Sequence, residues 1–181
     1  MMKQRIRKIF WAWEFEKEEE WLNEFAKKGY ALTDVGFCRY DFEPCDPGTY
    51  EYRLEFLDHF PSHKESADYI RFMEETGAEY IGSVQRWVYF RKAAQNGPFE
   101  IYSDANSKIN HLKRIRMLLL CLVVLEFAVS LLNLSLGVAD SSAFNIGVAL
   151  PNLLLGFLIL YGTFTYTRVI NRLKKERFLH E

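Results

Sequence analysis

A chain of 181 residues, with 23 basic and 24 acidic side chains, has room for one modest folded core and carries almost no net charge. The balance excludes a broadly basic nucleic-acid-binding surface, because that class of protein concentrates Lys and Arg over one face. Negative and positive charges are nevertheless separated along the sequence. Acidic residues lie mostly in the first part of the chain, and basic clusters flank two apolar runs in the last part.

The first part of the chain alternates between strand-like and helix-like patterns. Aromatic and β-branched residues predict a strand over Arg5–Trp13, and helical spacing predicts a helix over Glu14–Lys28 that ends at Gly29. The glutamates at the start of this predicted helix favour a helix N-terminus and a solvent-exposed face. Two further strands are predicted over Tyr30–Phe42 and Thr49–Leu57, the second from clear alternation.

A second helix is predicted from Ser62 to Thr76 and a fourth strand over Glu79–Arg91. The order βαββαβ is that of a ferredoxin-like sandwich, in which two helices cover one face of a four-stranded sheet. The sequence therefore predicts a cytosolic, ferredoxin-like α+β domain over residues 1–95. It shows no internal repeat.

Large aromatic residues on the first and fourth predicted strands indicate a binding surface. If both helices cover one sheet face, the other face keeps an apolar patch, and such patches mark partner or ligand sites. The candidate anchors are Trp11, Trp13, Trp87 and Tyr89. The alternative is that these side chains fill the core, since aromatic residues bury large areas.

No catalytic or cofactor motif is present: the chain lacks a P-loop, a nucleophile elbow and the zinc-protease motif. The spacing of the candidate metal ligands includes no C-x-x-C pair, so we expect no metal and no cofactor. Those candidates are Cys38, Cys45, Asp46, His59 and His63. Thiols on the cytosolic side stay reduced, so no structural disulfide is expected.

Two apolar runs, Met117–Leu136 and Ile146–Tyr166, are each about long enough to cross a bilayer as a helix. Residues 96–116 form a linker and a basic helix, beginning near residue 103, that leads into the first run. The intervening loop, Gly137–Asn145, contains no Lys or Arg. Basic residues lie on the outer flanks instead: Lys108, Lys113, Arg114, Arg116, Arg168, Arg172, Lys174, Lys175 and Arg177.

The positive-inside rule therefore predicts a transmembrane hairpin with an extracytoplasmic loop at 137–145 and both termini in the cytoplasm, including a basic tail at 167–181. The basic flanks suit anionic lipid headgroups. The apolar stretch near the N-terminus is too short for a cleavable signal peptide.

Glu126 lies near the middle of the first apolar run, where a carboxylate costs about 2.5 kcal/mol or more unless it is neutralised or paired. One hypothesis is a proton- or cation-linked group, or a contact with a partner helix. The alternative is a protonated Glu126 that hydrogen-bonds Asn133, Asn152 or Tyr161 inside the hairpin or an oligomer.

Four stretches together, Phe10–Asn23, Gly36–Phe42, Tyr50–Leu54 and Gly82–Arg91, resemble the bacterial family called domain of unknown function 2812. The resemblance covers about the first 110 residues, and the two apolar runs also fit it. It implies a small bacterial membrane protein, often encoded beside a PadR-type regulator. It implies no established activity and no catalytic residue.

These observations predict a non-enzymatic, membrane-anchored interaction or sensor module in the bacterial cytoplasmic membrane. The aromatic sheet face would bind a protein or a small ligand. The predicted partners are the lipid bilayer and a protein partner or a second copy of the chain. No nucleic acid is expected to bind. The alternative is a transport or transport-accessory subunit that acts as an oligomer or with a larger partner and uses Glu126.

Overall fold

The computed structural model describes residues 3–102 and 105–180. The chain divides into two compact units, Met1–Ser103 and Asp104–Glu181. We call them the α+β unit and the helical unit. This division agrees with the predicted class, a mixed α+β part followed by two long apolar helices.

Six strands and two α-helices make up the described residues of the α+β unit. In chain order they are β1 (Gln4–Arg7), α1 (Phe15–Lys27), β2 (Tyr30–Gly36), β3 (Arg39–Pro44), β4 (Tyr50–Phe56), α2 (Lys64–Glu75), β5 (Glu79–Val84) and β6 (Trp87–Ala93). Single 3₁₀ turns lie at Ala12–Glu14 and Ala94–Asn96. The helical unit consists of α3 (Ala105–Ala139) and α4 (Ala143–His180).

The strands form two antiparallel three-stranded sheets, in the orders β1-β3-β2 and β4-β6-β5. The ferredoxin-like topology with one four-stranded sheet is therefore not confirmed. Two of the predicted strands are hairpins, which turn where Cys38 (φ 54°) and Gln85 (φ 55°) adopt a left-handed backbone. Neither turn carries the Asn-Gly or Asp-Gly pair that usually announces a tight hairpin, so each hairpin resembles one long strand in sequence.

The two halves of the α+β unit repeat one arrangement: a strand, a helix and a hairpin whose second strand becomes the middle of the sheet. Gly29 (φ 85°) and Gly77 (φ 89°) follow the two helices at equivalent places. A β-bulge interrupts each hairpin, at residues 32–34 in β2 and 80–82 in β5. The repeat is invisible in the sequence because it rests on a few backbone conformations that different side chains can adopt.

The two halves meet where β2 lies beside β5. Gly82 permits the close approach, since a Cβ there would lie 3.0 Å from the Val35 Cγ1 atom. Leu32, the residue just before the bulge in β2, forms hydrogen bonds with the other half: its N–H donates to the Tyr52 hydroxyl at 2.8 Å, and its carbonyl accepts from Arg91 Nη1 at 3.0 Å. The bulge thus serves as a polar junction between the halves.

The two helices of this unit pack into different apolar clusters. Leu22 of α1 lies in a cluster with Tyr89 of β6, whereas Met73 of α2 lies in a cluster with Val88 and Phe90 of the same strand. Successive strand residues point to opposite sheet faces. The helices therefore cover opposite faces of the sheet β4-β6-β5, and the expectation that both lie on one face is wrong.

Side chains of α1 also cover the open edge of β4. Asn23 accepts a hydrogen bond from the N–H of Tyr52 at 2.8 Å and donates to the carbonyl of that residue at 3.1 Å. The N–H of Leu54 donates to Glu19 Oε1 at 2.7 Å. Unpaired strand edges invite unwanted pairing, and these contacts occupy the edge groups without a further strand.

The helical unit is a hairpin of α3 and α4. The stretches Asn106–Ala139 and Ala143–Glu176 are each 34 residues long and are apolar enough to cross a membrane. The predicted continuous helix is confirmed from Ala105 onward, while its predicted start near residue 103 lies outside the described residues. Both helices extend into the predicted loop, so three residues connect them.

Candidate functional site

The predicted anchors Trp11 and Trp13 lie beyond β1, which ends at Arg7. The N–H of Lys8 still donates to the Cys38 carbonyl at 3.2 Å, after which the chain leaves the sheet and enters the 3₁₀ turn before α1. The two indole rings stack, with centroids 5.1 Å apart and planes 3° apart. The predicted strand over Arg5–Trp13 is thus too long, because its aromatic end belongs to the entry of α1.

The other two predicted anchors share the β6 face that packs towards α1. The Trp87 ring is half-buried, with its centroid 5.4 Å from that of Phe15 and 5.1 Å from that of Phe56. Tyr89 is only 4% exposed. These two side chains therefore face a helix and not a bare sheet surface.

A buried carboxylate completes this face. Glu18 of α1 is 7% exposed, and its Oε1 atom accepts hydrogen bonds from the Tyr40 hydroxyl at 2.7 Å and from the Tyr89 hydroxyl at 2.6 Å. Tyr40 belongs to the first half of the α+β unit and Tyr89 to the second. One carboxylate oxygen thus joins the two halves.

Sequence reasoning missed Glu18 because it treated the acidic run at the start of α1 as solvated. The helical spacing of the apolar residues around Glu18 indicates that this side chain is buried. Glu18 lies three residues after Phe15 and four before Leu22, and all three side chains are buried on one side of the helix. A glutamate in register with an apolar stripe could have been recognised as a candidate buried carboxylate.

A cavity of about 210 Å³ opens beside this carboxylate. Its lining combines Glu18 and the two tyrosines with aromatic rings and the two hairpin turns, and it includes three of the four predicted anchors. The aromatic lining consists of Phe10, Trp11, Phe15, Phe37, Tyr40, Trp87 and Tyr89. Lys8 is the cationic member of the lining. Trp13 contributes indirectly, through its stack on Trp11.

Burial dominates the electrostatics of this cavity. It raises the pKa of Glu18, while the tyrosine donors and the nearby Lys8 charge act in the opposite direction. Burial and the Glu18 charge also raise the pKa values of Tyr40 and Tyr89, so both hydroxyls keep the protons that they donate. The Lys8 Nζ atom lies 4.6 Å from the ring centroids of both Phe10 and Trp21.

A second cluster brings together side chains that can bind metal ions. Ligand atoms of His59, His63 and Glu65 lie within 4.8 Å of one another, and all three side chains are exposed. Arg86 lines the adjoining depression of about 460 Å³ and places a positive charge there. A structural zinc site is closed by four ligands, so this cluster could hold a divalent ion only as an open three-ligand site.

The polar residues of the apolar helices are not gathered into one site. Glu126 is half-buried against α4, where a Cβ on Gly156 would lie 3.5 Å from its own Cβ. Asn133 donates to the Val129 carbonyl of its own helix at 2.8 Å, and Asn152 is half-buried on α4. In the described part of the chain, no hydrogen bond joins Glu126 to either asparagine.

The fold and the cavity define a small α+β protein with a carboxylate at the junction of two repeated halves and two helices of membrane-spanning length. The model of the family described as Protein of unknown function (DUF2812) matches residues 14–124, from the turn before α1 into α3. The chain belongs to this family, as the resemblance predicted. The match includes Glu18, Tyr40 and Tyr89. No curated protein and no solved structure matches the chain.

Proposed function

We propose that this protein is a membrane-anchored sensor module whose α+β unit binds a small ligand in the cavity beside Glu18. The observation that carries the proposal is the cavity itself, in which aromatic rings from both halves surround a buried carboxylate. Ligand sites combine an apolar, aromatic lining with a few placed polar groups, and this cavity has that composition. Three residues chosen from sequence as binding anchors also line it.

The helical unit supports the membrane part of the proposal. Both helices have the length and composition of membrane spans, and large apolar side chains are exposed along them. The basic residues that flank the apolar runs favour a hairpin with both ends in the cytoplasm. The α+β unit would then be held at the inner surface of the bacterial cytoplasmic membrane.

The ligand proposal can be tested with three probes of nearly the same shape but different charge: choline, the uncharged 3,3-dimethylbutan-1-ol and the anionic 3,3-dimethylbutanoate. The full chain in dodecyl maltoside is heated while tryptophan fluorescence is recorded. All four tryptophans lie in the α+β unit, so the signal reports that unit alone. We expect at least one probe to raise the melting temperature in a saturable way, because a ligand that binds only the folded state stabilises it.

A cavity-filling variant makes this test specific. Ala12 lines the cavity, so Ala12→Phe should abolish the stabilisation by the probe. Ala94→Phe is the matched control, since Ala94 is also half-buried in a 3₁₀ turn but lies outside the cavity lining. A wild-type protein that none of the three probes stabilises would overturn the ligand-binding proposal.

The alternative function, a transport or transport-accessory subunit, depends on Glu126. Its supporting observation is a half-buried carboxylate placed against α4 in the middle of an apolar helix. Two helices cannot enclose a polar path, so this function requires an oligomer or a larger partner. Glu126→Gln separates the proposals: it should abolish transport, and it should leave probe binding in the α+β unit unchanged.

A further inference from the structure

We propose that the cavity beside Glu18 selects a small organic cation that carries an alkylated ammonium group. This inference deepens the proposed function and rests on it, since it names the chemical class of the ligand. Three features of the cavity lead to this class: the carboxylate oxygens, the aromatic faces and the position of Lys8.

The carboxylate provides one oxygen for a ligand. Both tyrosine hydroxyls donate to Oε1 of Glu18, so Oε2 receives neither of these hydrogen bonds. A buried carboxylate is costly unless an opposite charge accompanies it. A cationic ligand supplies that charge, whereas an anion would be repelled and an uncharged molecule would leave the cost in place.

The aromatic lining distinguishes an alkylated ammonium from an inorganic cation. The faces of aromatic rings attract cations, and recognition of quaternary ammonium groups is the established use of such rings. Trp87 and Phe15 line the same cavity as Glu18, with ring centroids 5.4 Å apart, and Trp11, at 45% exposure, belongs to the same lining. Ca²⁺ or Mg²⁺ would instead require about six oxygen ligands, which an aromatic lining does not offer.

Lys8 shows that this aromatic environment already accepts a positive charge. Its ammonium lies over the rings of Phe10 and Trp21, both at 4.6 Å, and the side chain is part of the cavity lining. This internal cation partly offsets the Glu18 charge and competes with a cationic ligand. Removing the Lys8 charge should therefore strengthen ligand binding and not weaken it.

Isothermal titration calorimetry of the full chain in dodecyl maltoside tests this inference with choline and its uncharged isostere, 3,3-dimethylbutan-1-ol. We expect choline to bind at least about tenfold more tightly than the isostere, because only choline pairs a positive charge with the buried Glu18 carboxylate. Glu18→Gln keeps the size of the side chain and an oxygen that can accept both tyrosine hydrogen bonds. It should remove that preference.

Two further variants complete the design. Glu20→Gln removes an exposed charge from the same helix and should leave choline binding unchanged. Lys8→Gln should tighten choline binding severalfold, and this gain cannot be produced by a loss of folding. Choline binding should also strengthen as pH rises, because ionisation of Glu18 creates its partner charge.

The outcomes distinguish the cation inference from the proposed function. If the isostere or 3,3-dimethylbutanoate binds as tightly as choline, or if Glu18→Gln retains the preference, the cation inference is wrong while a ligand cavity remains. If neither these molecules nor choline binds, both proposals fail. A choline preference that disappears in Glu18→Gln and increases in Lys8→Gln would support both.

Discussion

Glu18 shows how far one side chain can depart from its sequence neighbourhood. It lies in an acidic run in which Glu16 and Glu20 are exposed, yet it is buried and holds two tyrosine hydroxyls on one oxygen. The sequence identified Trp87 and Tyr89 as candidate binding residues because they are large aromatic residues on a predicted strand. Their place beside Glu18 was not predictable, because it depends on how α1 brings this carboxylate between the two halves of the fold.

The raised pKa of Glu18 predicts a pH-dependent contribution to stability. An acid whose pKa is higher in the folded state favours folding while it is protonated, and this advantage is lost as pH rises through the folded pKa. Glu18→Gln cannot ionise. The free energy of unfolding of the variant, relative to wild type, should therefore increase as pH rises above the ordinary glutamate value of 4.5.

Urea unfolding followed by tryptophan fluorescence measures this difference, from about pH 5 to about pH 8. The comparison with Glu20→Gln, which removes an exposed charge, corrects for general charge effects. A difference between Glu18→Gln and wild type that stays constant with pH would contradict the buried-carboxylate interpretation.

At the scale of the elements, the sequence predicted helices better than strands. Both helices of the α+β unit and both long apolar helices occur close to their predicted positions, because apolar periodicity and long apolar runs are local signals. The hairpins were missed because Cys38 and Gln85 form left-handed turns without glycine. The predicted order βαββαβ contains four strands, but two of them are hairpins, so the unit has six strands. The order of the strands in the sheets could therefore not be predicted from that pattern.

The edge of β4 supplies a prediction at this scale. Asn23→Ala would leave the N–H of Tyr52 without its partner on α1, whereas the carbonyl would keep its hydrogen bond from Arg53 Nη1 at 2.9 Å. We expect the free energy of unfolding to fall by about 1–3 kcal/mol, the usual cost of leaving such a partly buried group unsatisfied.

Chemical denaturation of the full chain, followed by tryptophan fluorescence, measures that loss. Glu20→Ala is the control on an exposed position of the same helix and should stay within about 0.5 kcal/mol of wild type. Equal stability of the two variants would show that the contacts of Asn23 do not protect the strand edge.

At the scale of the whole molecule, the sequence predicted its division into a mixed part and a two-helix part, since composition changes sharply between them. The number of sheets and the internal repeat were not predictable in this way. They depend on contacts such as Gly82 against Val35, which join positions far apart in the chain.

The proposed topology can be tested with single cysteines in a background where Cys38, Cys45 and Cys121 are replaced. Ser141→Cys lies in the connection between α3 and α4, and Ser62→Cys lies at an exposed position of the α+β unit. An impermeant maleimide should label position 141 on intact cells and position 62 only after lysis. Labelling at position 62 but not at position 141 on intact cells would contradict the proposed topology and indicate the opposite orientation.

The three-residue connection between α3 and α4 limits where this protein could be recognised. With the proposed topology, the outer surface of the cell would display little more than Asp140, Ser141 and Ser142. An antibody or protease added outside would find almost no target, and a large extracellular molecule would have nothing to hold. If the hairpin has this topology, a stimulus for the proposed sensor would have to arrive through the lipid or from the cell interior.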